Sequence, residues 1–245
     1  SGGAIASKGG IEVALTRMRS IIGIDHVNRT AVVEPGLVNL DLSNATARFG
    51  LYFAPDPSSQ RACTIGGNVA ENSGGPHCLA YGVTTNHVLG MEVVLADGSI
   101  QWIGGTYRET FGYDLRGILI GSEGTLAIVT KVVVRLLMEP EAVKTLLAVF
   151  DNLEDAAAAV SGIIAAGIVP AALEMMDELC IRAAEASVHA GYPEGAGAVL
   201  LVEVDGLTES AEEETEAVEE ICNLFGPLEI RTATDALERE KLWAG

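Results

Sequence analysis

The chain has 245 residues, 49% of them apolar, enough to bury one large or two ordinary cores. Its 34 acidic residues against 15 basic ones give a formal charge of −19, which repels phosphate backbones and argues against nucleic acid as a partner. Much of that acidity runs from Glu209 to Glu220, as in a solvated helix face.

In chain order, the first half reads as short strands parted by turns. Thr30 to Val33 precedes Pro35-Gly36, a helix is expected from about Asn39 to Phe49, and Gly50 is placed to end it in a left-handed conformation. Leu89 to Leu95 leads into an Asp97-Gly98 hairpin turn. A β-branched strand is expected from Thr125 to Leu137, ending near Glu139-Pro140.

Beyond Pro140 the rhythm changes to strand Lys144 to Phe150, helix Asn152 to Ala166, strand Val169 to Met175 and helix Asp177 to Val188. A strand from Ala198 to Asp205, a helix reaching Phe225 and a strand from Leu228 to Thr232 follow. Asp151 with Glu154, and Ser210 with Glu213, have the spacing of capping boxes. Leu153, Ala157, Val160 and Ile164 fall on one helical stripe, and so do Val218, Ile221, Cys222 and Phe225. The division predicts an α+β chain of two domains, 1–139 and 140–245, the second with helices on one face of a mixed sheet.

Residues Ala156 to Leu173 carry no charge, but Gly162, Gly167 and Pro170 interrupt them, so they read as a core helix and not a membrane span. Cys63, Cys78, Cys180 and Cys222 form no CxxC pair and no secretory signal is seen, which points to a reduced, cytoplasmic protein. The start at Ser1-Gly2-Gly3 and the end at Leu242-Trp243-Ala244-Gly245 read as cuts from a longer protein.

The stretch with chemical content is PDPSSQRACTIGGNVAENSGGPHCLAYG, Pro55 to Gly82. Gly66-Gly67 and Gly74-Gly75 leave the backbone bare, open to positive φ and to close approach by a phosphate or a flat ring. A short helix beginning at Gly66-Gly67 is expected to point free amides at an anion, with Thr64, Ser73, Asn68 and Asn72 adding polar groups. Tight turns between strands are the plainer use of such glycines. Two pairs interleaved with Thr, Asn and Ser favour a cofactor cradle, and the absence of GxGxxG and GxxxxGK[ST] removes support for nicotinamide and nucleoside-triphosphate sites.

PDPSSQ, CTIGGNVAENSGG and GSEGTLAIVT (Gly121 to Thr130), in that order, resemble the vanillyl-alcohol-oxidase type of FAD-binding domain. With AALEMMDEL (Ala171 to Leu179), the likeness extends over essentially the whole chain to the FAD-linked 2-hydroxy-acid oxidases and dehydrogenases of the glycolate-oxidase kind. It implies an FAD-binding domain over 1–139, lacking its N-terminal part, and a partial ferredoxin-like α/β cap domain over 140–245.

By that likeness Ser1, Gly2 and Gly3 end a pyrophosphate loop. Pro55, Asp56, Thr64, Gly66, Gly67, Asn68, Ala70, Asn72, Ser73 and Gly74 line the diphosphate, ribityl and isoalloxazine region. Glu123, Gly124, Ile128 and Val129 meet the flavin's other side and the adenosine portion. Ala127 replaces a common glycine and Ala80 a common lysine.

The implied reaction is oxidation of glycolate, D-lactate or a similar 2-hydroxy acid to the 2-oxo acid. Electrons pass to an iron–sulfur subunit or a quinone, and such an electron-transfer partner implies a peripheral place at the membrane. The alternatives are a D-2-hydroxyglutarate or cytochrome-linked D-lactate dehydrogenase and, from another class, a non-catalytic FAD-binding subunit.

No catalytic base and no metal site is assigned. His26 and His189 read as surface residues and His87 as structural. His77 directly follows Gly74-Gly75-Pro76 but, with no carboxylate at fixed spacing, reads as a loop histidine hydrogen-bonded to backbone.

Overall fold

A computed structural model describes residues 5–6, 8–106, 112–193 and 195–245, in two compact units, Ser1–Glu139 and Pro140–Gly245.

In the first unit the strands are β1 (Ile21–Asp25), β2 (Thr30–Val33), β3 (Leu51–Tyr52), β4 (Val88–Val94), β5 (Ile100–Gly104), β6 (Ile128–Arg135) and β7 (Leu137–Met138). Five of them form an antiparallel sheet in the order β1-β2-β6-β4-β5, and β3 pairs with β7. Val132, Val133 and Val134 of central β6 are fully buried, as a continuous β-branched run covered on both faces should be. The strand expected from Thr125 starts three residues later because the Thr125 amide closes a turn onto Ser122 O. It also breaks at Leu136, whose amide goes to Arg29 O.

The helices of this unit are α1 (Asn39–Thr46), α2 (Ile65–Glu71), α3 (Cys78–Tyr81), α4 (Thr84–His87) and α5 (Leu115–Leu119). α1 tightens into a 3₁₀ turn over Ala47–Phe49 and stops at Gly50 with φ 65°, the left-handed stop expected from the sequence.

The second unit contains β8 (Ala142–Phe150), α6 (Leu153–Ala165), β9 (Ala172–Asp177), α7 (Glu178–Val188), β10 (Ala198–Gly206), α8 (Thr208–Asn223), β11 (Glu229–Thr232) and α9 (Ala236–Leu242). Its sheet runs β11-β8-β10-β9. Numbered within the unit this is the 4-1-3-2 order of a ferredoxin-like split βαβ, with α7 added between its second and third strands. Every pair is antiparallel, so the expectation of a mixed sheet is corrected. The helices also divide between the faces. Leu146, Ala148, Leu200 and Val202 pack with α6 and α8, while Leu147, Val149 and Leu201 pack with Ile181 of α7 and Leu242 of α9.

On α6 the buried positions are Ala156, Ala159 and Ile163, one residue from the expected stripe, and Leu153 and Ile164 are each 43% exposed. Small alanines let the helix lie close to the sheet, and a Cβ on Gly162 would come within 3.0 Å of both Ile221 of α8 and Phe225 just beyond it, so the close helix contact sets the rotation. The stripe on α8 appears as expected. Val218 and Cys222 are buried, Ile221 and Phe225 pack beside them, and burial pushes the Cys222 thiol up to about 11.

Neither capping box forms. Asn152, not Asp151, caps α6 by accepting from the Asp155 amide at 2.8 Å. α8 starts ahead of Ser210, with Leu207 at the cap position and Thr208 Oγ1 donating to Glu141 at 2.8 Å. β9 begins at Ala172, three residues late, because the chain first turns through Gly167 at φ 83° and Pro170. All four cysteines are free thiols, and no helix of the described residues is long and apolar enough to cross a membrane.

Candidate functional site

The residues around α2 build the site. Thr64 caps the helix, its Oγ1 accepting from the Gly67 amide at 3.2 Å, and Asn72 ends it in the left-handed region at φ 52°. Upstream backbone completes the start: the Ile65 amide donates to Leu37 O and the Gly66 amide to Pro35 O at 2.7 Å. These bonds correct two expectations. The helix begins at Ile65, ahead of the glycine pair, and the amides of 65, 66 and 67 are all spent within the protein, so none is left to point at an anion.

The four glycines also separate by role, and none takes a positive φ. A Cβ on Gly66 would lie 2.6 Å from Pro35 Cβ, one on Gly74 would lie 2.4 Å from Cys78 Sγ, and one on Gly75 would lie 2.3 Å from both Asp56 O and Oδ1. Those three are glycine because the protein packs against them. Among the described residues a Cβ on Gly67 would meet only Thr64 Oγ1, at 3.4 Å, an ordinary contact. Packing gives no reason for glycine at 67, where alanine would strengthen the helix.

Gly67 faces a cavity of about 320 Å³. It is lined by the small residues of α2 (Gly66, Gly67, Ala70), by Gly124, Ile128 and Val129, and by Leu15, Pro35 and Leu119. Backbone bonds hold α2 to the loop before Gly124: the Gly121 amide donates to Val69 O at 2.8 Å and the Glu123 amide to Ala70 O at 2.9 Å. Glu123 pays for this docking with a left-handed φ of 53°, a conformation that a non-glycine residue keeps only when its surroundings impose it. Ala127 is 8% exposed and lines the cavity, so the methyl group that replaces glycine there narrows it.

Of the residues assigned to the cofactor by resemblance, Thr64, Gly66, Gly67, Ala70, Gly124, Ile128 and Val129 line this cavity. The other described ones are not among its lining residues. Asn68 is buried and its Nδ2 donates to Asn39 Oδ1 at 2.7 Å, while Asn39 Nδ2 donates to Pro55 O at 2.9 Å. Asn72 Oδ1 accepts from the Thr85 amide, Ser73 O accepts from Thr84, and Glu123 holds its loop to α2 through its amide. Ser1, Gly2 and Gly3 lie outside the described residues.

Val13, Leu15, Thr16, Pro35, Leu119 and Ser122 also line the cavity and were not assigned from the sequence. Pro35-Gly36 had signalled only a turn. The close approach of Pro35 O to Gly66 depends on long-range packing that no local pattern reveals.

The histidines sort as follows. His26 is exposed and stacks on Phe49, with 4.9 Å between ring centroids; His189 is exposed at the end of α7. His87 is fully buried, Nε2 lying 2.8 Å from Tyr81 O. His77 departs from the expectation, because it does meet a carboxylate: Nδ1 lies 2.6 Å from Asp56 Oδ2, a partner 21 residues away in sequence. A carboxylate only accepts, so the proton of this bond is on Nδ1.

Among the described residues the lining has few polar groups, chiefly the hydroxyls of Thr16, Thr64 and Ser122, and no cation. A largely apolar cavity with glycine in its lining suits a flat, uncharged ring system better than a diphosphate.

Comparison with known proteins agrees. Residues 1–104 match the FAD binding domain family and residues 139–245 the C-terminal domain of FAD linked oxidases. The chain is 48% identical over all 245 of its residues to glycolate oxidase subunit GlcD of Escherichia coli (strain K12), covering 49% of that protein. The chain joins an FAD binding domain to the C-terminal domain of FAD linked oxidases.

FAD is the cofactor for which both matched domains are named. The chain is also 35% identical over 251 aligned positions to D-lactate dehydrogenase of Anaerostipes hadrus, covering 99% of the chain and 53% of that relative. It therefore spans about half the length of the curated relatives it matches. Its fold is shared with alkyldihydroxyacetonephosphate synthase at a TM-score of 0.79 and 20% identity, over 93% of this chain and 47% of that one. The fold is thus that of an FAD-binding domain joined to an oxidase C-terminal domain, as the resemblance implied.

Proposed function

We propose that the chain holds FAD in an enzyme that oxidises a small 2-hydroxy acid, of the glycolate or D-lactate kind, to the 2-oxo acid. The observation that carries this reading is the open, unexplained glycine at 67 on the wall of an apolar cavity, in a chain whose curated relatives are a glycolate oxidase subunit and a D-lactate dehydrogenase. Bound FAD supplies the hydride acceptor for such a reaction.

In this reading the residues of the chain bind and orient. Thr64, Gly66, Gly67 and Ala70 form one wall, and Gly124, Ile128 and Val129 the other, excluding water from the ring. Pro55, Asn68, Asn72, Ser73, Gly74 and Glu123 fix the shape of those walls from behind. Residues 1–139 serve as the FAD-binding domain and 140–245 as the substrate domain. Electrons leave to an iron–sulfur partner or a quinone, the latter at a membrane surface.

The test is anaerobic addition of glycolate and of D-lactate to the FAD-loaded protein. Bleaching of the visible flavin band by at least one of them is expected. A band left intact by both rejects the substrate class.

A further inference from the structure

Asp56 stands among the residues assigned to FAD by resemblance, yet its carboxylate is committed elsewhere. Oδ2 accepts from His77 Nδ1 at 2.6 Å, and the side chains are 19% and 27% exposed, so the pair is largely shielded from water. Oδ1 lies against Gly75, where an added Cβ would come within 2.3 Å of it and of Asp56 O. The PDP and GGPH segments of the glycine-rich stretch are therefore pressed together, with the ion pair on one side and a glycine that admits no side chain on the other.

The contact connects to the cavity wall. Pro55 O, one residue before Asp56, accepts from Asn39, and Asn39 accepts from Asn68 within α2. On the other side, His77 follows Asn72, Ser73 and Gly74, which leave the end of α2 and are fastened by Thr85 and Thr84. A bond between Asp56 and His77 thus closes a ring of contacts that begins and ends on the helix bearing Gly67.

We propose that Asp56 and His77 form a latch that sets the shape of the FAD cradle, acting as positioning residues that do not touch the cofactor. This rests on the FAD reading above. His77 donates its Nδ1 proton to Asp56, the Gly74-Gly75-Pro76 bend is drawn onto Asp56, and the loop leaving α2 is held where the flavin requires it. The bond is charge-assisted and mostly desolvated, so its loss is felt in cofactor affinity.

The test compares FAD dissociation constants of the wild-type protein, His77→Leu and His77→Asn, each measured well below the unfolding midpoint of its own apo form. Asparagine places an amide N–H at the same branch point as Nδ1, so it keeps the donor without the ring. His77→Leu is expected to bind FAD between roughly tenfold and a hundredfold more weakly, and His77→Asn within about threefold of wild type.

Unchanged affinity in His77→Leu overturns the latch, as does an equal loss in both variants, which would mean that the hydrogen bond is not what matters. A fall in the apo unfolding midpoint with no change in the affinity of the folded protein also overturns it, leaving a merely structural contact. Failure of the wild type to bind FAD would instead reject the FAD reading, and the latch with it.

Discussion

Gly67→Leu is expected to leave the fold standing and to weaken FAD binding by roughly a hundredfold or more, the cost of forcing a four-carbon side chain into space the cofactor needs. The prediction follows from how little the protein itself asks of that glycine: its backbone is not left-handed and, among the described residues, the one close neighbour of an added Cβ is Thr64 Oγ1, at 3.4 Å. Leucine also favours the helix over glycine by about 0.5–1 kcal/mol, so the apo protein should unfold at the same or a slightly higher denaturant concentration.

Gly66→Ala is the control and behaves in the opposite way. Its Cβ would sit 2.6 Å from Pro35 Cβ and 2.9 Å from Pro35 O, so the apo protein loses about 1–3 kcal/mol of stability. Urea unfolding of the apo proteins together with FAD titration separates the two glycines. If both substitutions act on stability alone, the cavity is not the FAD site.

Gly197→Ala is expected to be the most damaging single methyl group in the second unit. The Gly197 amide donates to Phe150 O at 3.0 Å where the chain enters β10, and this brings its α-carbon against the turn after β8. An added Cβ would lie 1.9 Å from Asp151 O, 2.5 Å from Asp151 C and 2.9 Å from Asn152 N, all backbone atoms with no rotamer to yield. Relief requires moving the end of β8 or the cap of α6, at a cost of about 3 kcal/mol or more. Calorimetry should show the second unit melting at a clearly lower temperature, and an unchanged melting profile would show that the turn is softer than its packing indicates.

Much of this was legible in the sequence where the cause is local. Gly50 ends α1 because a left-handed residue is needed there, and Val218 with Cys222 faces the sheet because the spacing is helical. The short helix expected around Gly66-Gly67 is legible for a similar reason, since the residues from Thr64 to Asn72 make one locally capped element.

What escaped is set by distant chain. The amides at the start of α2 are consumed by carbonyls of Pro35 and Leu37, so an apparent anion site is closed. The face that α6 buries is chosen by contact with α8 at Gly162, not by which of its residues are most apolar. Asp56 and His77 lie too far apart in sequence to suggest a pair, and only the fold of the loop joins them.

The most direct measurement is a titration of the apo protein with FAD, followed by flavin fluorescence and by the visible spectrum, in the wild type and in Gly67→Leu side by side. One FAD per chain, a yellow complex and a marked loss of affinity in the variant are the expected result. A wild-type protein that takes up no FAD, or a variant that binds it equally well, contradicts an FAD site built on the open wall of α2.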